Sequence, residues 1–272
     1  MQLLRVANSG LRASRIAFGT AGVHHLRGAA QRERLLQAAA DSGITHFDTS
    51  PYYGFGLAER ALAALSARGT STTVATKVGL YPPGSADTQG FSVLCRKAAG
   101  RLVPGLSRAL VDFHVERARD SLSGSLRRMR RERVDVLFLH EPRWDLVQTD
   151  EWVRWVETEK DRVGAVGVAG EATQVSPFLR PCSPLAAIVQ TRDSLIGQEA
   201  ATLRAAGFNP AITYGHLAHR EAAKRSAETL THTIERWPQT VLLISTRRVD
   251  RVRELERIAL ACESRMKANT SS

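Results

Sequence analysis

Apolar residues along this 272-residue chain fall into two alternating patterns: short continuous runs, and longer stretches in which they recur every three or four positions. The runs RIAFGT (15–20), ITHFD (44–48), TTVATK (72–77), RVDVLFLH (133–140), GAVGVAG (164–170), AAIVQ (186–190), PAITY (210–214) and TVLLIS (240–245) read as strands. Between them lie segments such as GLAERALAALSA and VERARDSLSGSLRRMRRE. In the second, Val115, Ala118, Leu122, Leu126 and Met129 form one apolar stripe with the arginines largely elsewhere, the pattern of an amphipathic helix covering a sheet. Strands alternating with helices predict parallel βαβ units. Eight such runs in a chain of this length predict an α/β fold with a single domain over 1–272, a closed (β/α)8 TIM barrel. An open doubly wound sheet is the alternative, but it usually carries a glycine-rich fingerprint after its first strand, and none in the required form follows here.

Two segments stand outside the alternation. Residues 81–114, rich in Gly, Pro, Ser and basic side chains, predict a long loop over the active-site face, and a loop of that length inside a domain is often functional. Residues 266–272, ending in ANTSS, predict a flexible tail.

Composition narrows the functions open to such a fold. A hydrophobic content of 43% with 24% charged residues suits a globular protein with a full core rather than a disordered chain. The formal charge of +11 would permit contact with nucleic acid or acidic membranes. The arginines are dispersed, however, and no nucleic-acid-binding motif accompanies them, so they read as a solvated surface. No apolar run approaches the roughly 18 residues that span a bilayer. The first 32 residues hold five arginines and no acidic residue, as transit peptides do, but they include RIAFGT, which the barrel needs. Cys95, Cys182 and Cys262 are too widely spaced for a common metal site and odd in number for a disulfide framework, which fits a reducing cytoplasm.

Candidate chemistry enters through position. Asp48, Lys77 and His140 each fall at the C-terminal end of a different apolar run, the face of a barrel that holds active sites. Each alone has a bland explanation: a turn cap, a lysine reaching solvent, a satisfied edge histidine. Three at equivalent positions outweigh those explanations. Tyr53, five residues after Asp48 in FDTSPYYGFGLAER, adds a phenol that holds its proton at neutral pH and can act as a general acid. Lys77 would lower the phenol pKa by stabilising the phenolate, Asp48 would hold the lysine, and His140 would donate to a substrate oxygen.

At FDTSPYYGFGLAE (47–59), ATKVG (75–79) and LFLHEP (137–142) the sequence resembles the aldo-keto reductase superfamily, with the matches in the family's order and running from RIAFGTAG to STRRVDRVREL. The resemblance implies a barrel that binds a nicotinamide cofactor without a Rossmann domain, and a catalytic tetrad of Asp48, Tyr53, Lys77 and His140 with Tyr53 as proton donor. It further implies that Gln190 bonds the carboxamide and that Tyr214 stacks on the nicotinamide ring. Ser245, Thr246, Arg247 and Arg251 would grip the adenosine 2′-phosphate or ribose. Arginines crowded at a helix start are electrostatically unfavourable without an anion, which favours NADP(H), with NAD(H) possible.

The chain also departs from the family. Val168-Ala169-Gly170 stands where a Ser-Asn pair commonly holds the carboxamide, Leu255 stands where many members place a polar residue near the adenine, and the C-terminal extension is short. Its wording is most similar to a branch of bacterial sugar and pyridoxal dehydrogenases, which implies an aldose, lactol or other small polar carbonyl compound as substrate. His24, Tyr52 and Trp144 are the candidate pocket residues. No metal is expected, since adjacent His24 and His25 rarely converge on an ion without a third ligand and the chemistry needs none. The expectation is a cytoplasmic NADP(H)-dependent oxidoreductase acting on a small-molecule carbonyl substrate, with no nucleic-acid or membrane partner and with its oligomeric state open. The alternatives are an NAD-dependent aldose or lactol dehydrogenase and a non-catalytic cofactor-sensing or scaffold barrel.

Overall fold

The computed structural model describes residues 1–7, 9–67, 69, 71–83, 109–179 and 183–270, apart from the side chains of 267, 269 and 270. Most of the 81–114 segment, together with Cys95 and Cys182, lies outside the described residues.

The chain opens with a hairpin that the apolar pattern does not announce, β1 (Leu3–Arg5) paired antiparallel with β2 (Arg12–Ser14). All eight expected strands follow: β3 (Ile16–Gly19), β4 (His46–Asp48), β5 (Thr73–Val78), then β8 (Val134–His140), β9 (Val163–Gly170), β10 (Ile188–Arg192), β11 (Ile212–Tyr214) and β12 (Val241–Ile244). Between β5 and β8, β6 (Leu80–Tyr81) and β7 (Leu110–Val111) pair as a short antiparallel ribbon at the two ends of the 81–114 segment. The eight strands are parallel, sit in chain order, and close where β12 pairs with β3, Leu242 opposite Ile16. This is the (β/α)8 barrel.

Alternation along each strand decides what faces the barrel axis. Ile16, Phe18, Phe47, Val74, Leu137, Leu139, Val168, Val189 and Leu242 pack outward in one core cluster with the helices. Ala17, Ala75, Val136, Phe138, Ala169, Ile188, Ile212, Val241 and Leu243 form a second cluster inside the barrel. The inward set fixes the site. Asp48 shares a face with His46, Lys77 with Ala75, His140 with Phe138, Gln190 with Ile188 and Tyr214 with Ile212, so every one points into the barrel near its C-terminal mouth. At the opposite end the hairpin serves as a plug, with Leu4, Val6 and Ala13 belonging to the inner cluster. Buried Arg15 fastens that plug by donating to the carbonyls of Trp237 (3.3 Å) and Thr240 (3.4 Å) and to Gln2 Oε1 (2.9 Å).

The helical stripe of Val115, Ala118, Leu122, Leu126 and Met129 is buried, in a helix spanning Val115–Met129. Two boundaries differ from the expectation. The sixth barrel strand begins at Ile188 because Pro184 starts a 3-10 turn over Pro184–Ala186, and it runs two residues past Gln190. The last helix spans Val249–Thr270, so residues 266–270 continue a helix where a tail was expected. Val252, Leu255, Ile258, Ala259 and Cys262 repeat at three- and four-residue steps on its buried face, Met266 packs beside them, and no Gly or Pro interrupts. The same stripe takes Leu255 into the core, 1% exposed, away from a cofactor-facing role.

Candidate active site

Asp48 and Lys77 form a buried ion pair at the end of β4 and β5, 2% and 1% exposed. Lys77 Nζ also donates to the Thr49 carbonyl (2.9 Å), and Gln190 Nε2 donates to Asp48 Oδ2 (3.3 Å). Thr20, just beyond β3, donates its hydroxyl to the Asp48 carbonyl at 2.9 Å. The carboxylate is thereby held from two strands, β5 and β10, and the Asp48 backbone from beyond β3. Burial pushes the Asp48 pKa up and the Lys77 pKa down, and their mutual attraction opposes both shifts.

Behind this pair lies a second buried one that the sequence reading passed over. Glu59, on the helix Leu57–Ala67, accepts from Arg128 Nε (2.7 Å) on the helix Val115–Met129 and from Thr76 Oγ1 (2.8 Å) on β5. Two helices are thus bolted to the strand that carries Lys77. The signal was present in GLAER, where Glu59 lies among Ala58, Ala61 and Leu62 on the apolar face, all buried.

Tyr53 enters from the loop after β4. Its backbone N–H closes a turn onto the Ser50 carbonyl (3.0 Å), and Gly54, Phe55 and Gly56 then take left-handed φ values of 63°, 55° and 83° before the helix begins. Gly54 is required twice over, because a Cβ there would also lie 2.3 Å from the Cβ of His24. The Tyr53 ring stands edge-on to His140 (centroids 6.0 Å apart, 89° between planes), with Lys77 Nζ 5.0 Å from its centroid. All four members of the expected tetrad therefore meet at one point.

The electrostatics of the phenol differ from the expectation. Burial first, then the charges of Asp48 and Glu141, hold the Tyr53 hydroxyl well above the usual phenol range. The Lys77 ammonium, shared with Asp48 and the Thr49 carbonyl, does not outweigh these effects in the resting site. His140 is held neutral, well below the ordinary imidazole value, by burial and by Lys77. The resting site thus holds a protonated phenol beside a neutral imidazole.

These groups line a cavity of about 470 Å³, together with Tyr52, Leu80, Glu141, Ala169, Gln190, Tyr214, the loop Gly215–Ala218 and Ser245. Gln190 Oε1 is buried here without a hydrogen-bond partner. Ala169 presents only a methyl group, and its carbonyl is taken by the Glu141 N–H (2.6 Å), so no side chain at that position replaces the missing Ser-Asn anchor. Sequence reasoning overlooked Glu141 and His216 on this wall; Glu141 sat inside the quoted LFLHEP, masked by its neighbour His140.

The remaining candidates divide. Tyr52 and Ser245 line the cavity; His24, Trp144, Thr246, Arg247 and Arg251 do not. His24 packs under Gly54 and against His25, ring centroids 4.0 Å apart, and Trp144 stacks edge-on to Phe178 at 5.0 Å. Arg251 is committed within the fold: it pairs with Glu254 and donates to Ser226 Oγ (2.8 Å) and the Ala223 carbonyl (3.3 Å). Arg248 pairs with Asp250. Arg247, exposed and with its stem against Gly22, has no acidic partner among the described residues. Among the described residues no cluster of three His, Cys, Asp or Glu is placed to hold a metal ion, and no helix is long and apolar enough to cross a membrane.

Comparison with known proteins agrees with this geometry. The chain is 33% identical over 149 residues to a D-threo-aldose 1-dehydrogenase of a Pseudomonas species, covering 50% of this chain and 42% of that protein. It is 30% identical over 148 residues to the L-galactose dehydrogenase of Arabidopsis thaliana, covering 52% and 38%. The matched region thus spans about two fifths of the length of these curated relatives. In three dimensions the fold superposes on an aldo-keto reductase of Klebsiella pneumoniae solved in complex with NADPH, with a TM-score of 0.68 at 16% identity over 95% of this chain and 90% of the other. Residues 15–175, which contain Asp48, Tyr53, Lys77 and His140, match the model of the aldo/keto reductase family, and the chain belongs to that family.

Proposed function

We propose that this chain is an NADP(H)-dependent oxidoreductase acting on the carbonyl or hydroxyl carbon of a small polar aldehyde, ketone or sugar. The observation that carries the reading is the convergence of the Asp48–Lys77 pair, Tyr53 and His140 on one wall of a cavity. A nicotinamide cofactor supplies or accepts the hydride when bound. Tyr53 moves the proton, giving it to the carbonyl oxygen in reduction and taking it from the hydroxyl in oxidation. A phenol held protonated by burial is ready for the first of these. Neutral His140 can donate one hydrogen bond to the same oxygen and orient it. Lys77 stabilises the phenolate left behind, and Asp48 keeps the lysine in place.

Residues present fit the nicotinamide end of such a cofactor. Gln190 Oε1, buried and unpartnered, is an acceptor for a carboxamide N–H, and Tyr214 offers a ring on the same wall. Ser245 closes that wall near Arg247, the guanidinium we assign to the 2′-phosphate. A second reading, an NAD-dependent aldose or lactol dehydrogenase, is favoured by one observation: Arg251 is occupied by Glu254 and Ser226, so the phosphate site has fewer cations than the sequence implies. The three cysteines, too widely spaced to form a metal site or disulfide framework, support a cytoplasmic setting.

Titrating the protein with NADPH and with NADH while following nicotinamide fluorescence, then adding a panel of aldehydes and aldoses, tests both readings. Saturable NADPH binding below about 1 mM, followed by turnover of at least one carbonyl compound, is the expected result. Binding of neither cofactor over that range would overturn the oxidoreductase reading.

A further inference from the structure

One wall residue plays no part in the proton transfer. Glu141 directly follows His140, and its N–H extends the β8–β9 ladder by one residue before the backbone turns to φ 47°. Side-chain-bearing residues seldom adopt that conformation, and those that do concentrate at functional sites. The neighbouring strand makes room for it. A Cβ on Gly170 would approach the Glu141 Cα to 3.2 Å and Gln174 Oε1 to 2.7 Å. The Ala169-Gly170 departure thus seats Glu141 at the cavity.

Glu141 lines the cavity together with Tyr53 and His140. Among the described residues no lysine, arginine or histidine forms an ion pair with it. The charge it responds to is that of Glu171, which is itself paired with Arg192 at 3.7 Å, and its own charge is felt at the Tyr53 and Tyr214 hydroxyls. The other ionised groups on the cavity wall, Asp48 and Lys77, neutralise each other. In a chain of net charge +11, Glu141 is therefore the uncompensated charge among the described residues that line the reacting end of the cavity. A carboxylate at the cavity wall with no ion-pair partner among the described residues favours a ligand that donates hydrogen bonds, and it penalises a second anion.

Resting on the oxidoreductase reading above, we infer that Glu141 is a specificity-determining residue: it accepts hydrogen bonds from hydroxyl groups of a neutral polyhydroxylated aldehyde or lactol and excludes carbonyl substrates that carry a carboxylate.

The test measures kcat and KM with the full chain and saturating cofactor for D-glucose and D-galactose, for the matching uronates, for the cationic 2-amino-2-deoxy sugars, and for 4-nitrobenzaldehyde. The expected result for the parent is a kcat/KM for at least one neutral sugar roughly 10-fold or more above that of its uronate. Glu141→Gln should narrow that ratio roughly 10-fold, mainly through KM, since the amide cannot repel an anion. A parent ratio near one overturns the inference without any variant, which covers the case in which the variant fails to fold. An unchanged ratio in a folded variant that still reduces 4-nitrobenzaldehyde overturns it too, as does a strong preference of the parent for the cationic sugar over the neutral one. Turnover of 4-nitrobenzaldehyde without any sugar sinks this inference and leaves the oxidoreductase reading standing. Turnover of none of these compounds by a parent that binds neither cofactor removes both.

Discussion

Lys77 is ion-paired with Asp48 and stands 5.0 Å from the centre of the Tyr53 ring. The lysine can therefore stabilise a phenolate only while the aspartate holds it, and the aspartate is tolerated inside the barrel only while the lysine neutralises it. Breaking a buried pair from one side leaves a charge without compensation. Asp48→Asn should lower the free energy of unfolding by about 3 kcal/mol, read from urea denaturation. An unchanged midpoint would mean that the pair is exposed to water in solution.

Arg247 and Arg251 should behave differently although only four residues separate them. Arg247 has no acidic partner among the described residues, so Arg247→Ala should weaken NADPH roughly 10-fold and leave NADH nearly unaffected at fixed ionic strength. Arg251 ties the last helix to Ser226 and Ala223, so Arg251→Ala should show first as a lower melting temperature. Equal losses for both cofactors in Arg247→Ala would move the NAD-dependent reading ahead.

Acid should unfold the protein through its buried histidines. Burial pushes His46 and His216 down to about 4, and His140 is also depressed. The unfolded chain, with histidine near 6.5, then binds more protons than the native state between those values. Stability is thus full above about pH 6.5 and falls as pH drops towards 4, by about 1.4 kcal/mol per pH unit for each such residue. Urea midpoints measured across this window should show that slope, and His46→Gln should flatten it. A midpoint independent of pH there would contradict the burial of these imidazoles.

The pair of Glu59 and Arg128 supports β5 from outside the barrel, 2.7 Å apart and buried. Arg128→Met should cost about 3–5 kcal/mol of stability because Glu59 stays behind uncompensated. Changing both residues to apolar ones of similar volume should cost less than the single change. The comparison is a double-mutant cycle in urea; additive losses would show that the two do not interact.

The barrel was legible because its signal is local: eight apolar runs, each of the length of a strand, separated by stripes such as Val115 to Met129. The tetrad was legible for a related reason, since a charged residue at the end of a buried run is visible in one dimension. Partnerships were not. The Arg251–Glu254 pair is a local i,i+3 contact of the last helix, but the bonds that tie Arg251 to Ser226 and Ala223 depend on how that helix sits in the fold, a tertiary fact. The shift of the Tyr53 hydroxyl also escaped, because the sequence shows that Lys77 is near but not that Asp48 and Thr49 occupy it. The hairpin plug was missed because its strands are three residues each, too short for a pattern to show. Glu141 was hidden by its neighbour, and only the folded chain, with its left-handed turn after His140, puts it on the cavity wall.

The most direct measurement is a single-turnover comparison of the parent and Tyr53→Phe, each preloaded with NADPH and mixed with an aldehyde the parent reduces, following the loss of nicotinamide absorbance. The phenyl ring keeps the edge contact with His140 but has no proton to give. The predicted result is a rate lower by roughly 100-fold or more in the variant, with the NADPH dissociation constant nearly unchanged. A variant that oxidises its bound cofactor as fast as the parent would contradict the assignment of Tyr53 as the proton donor.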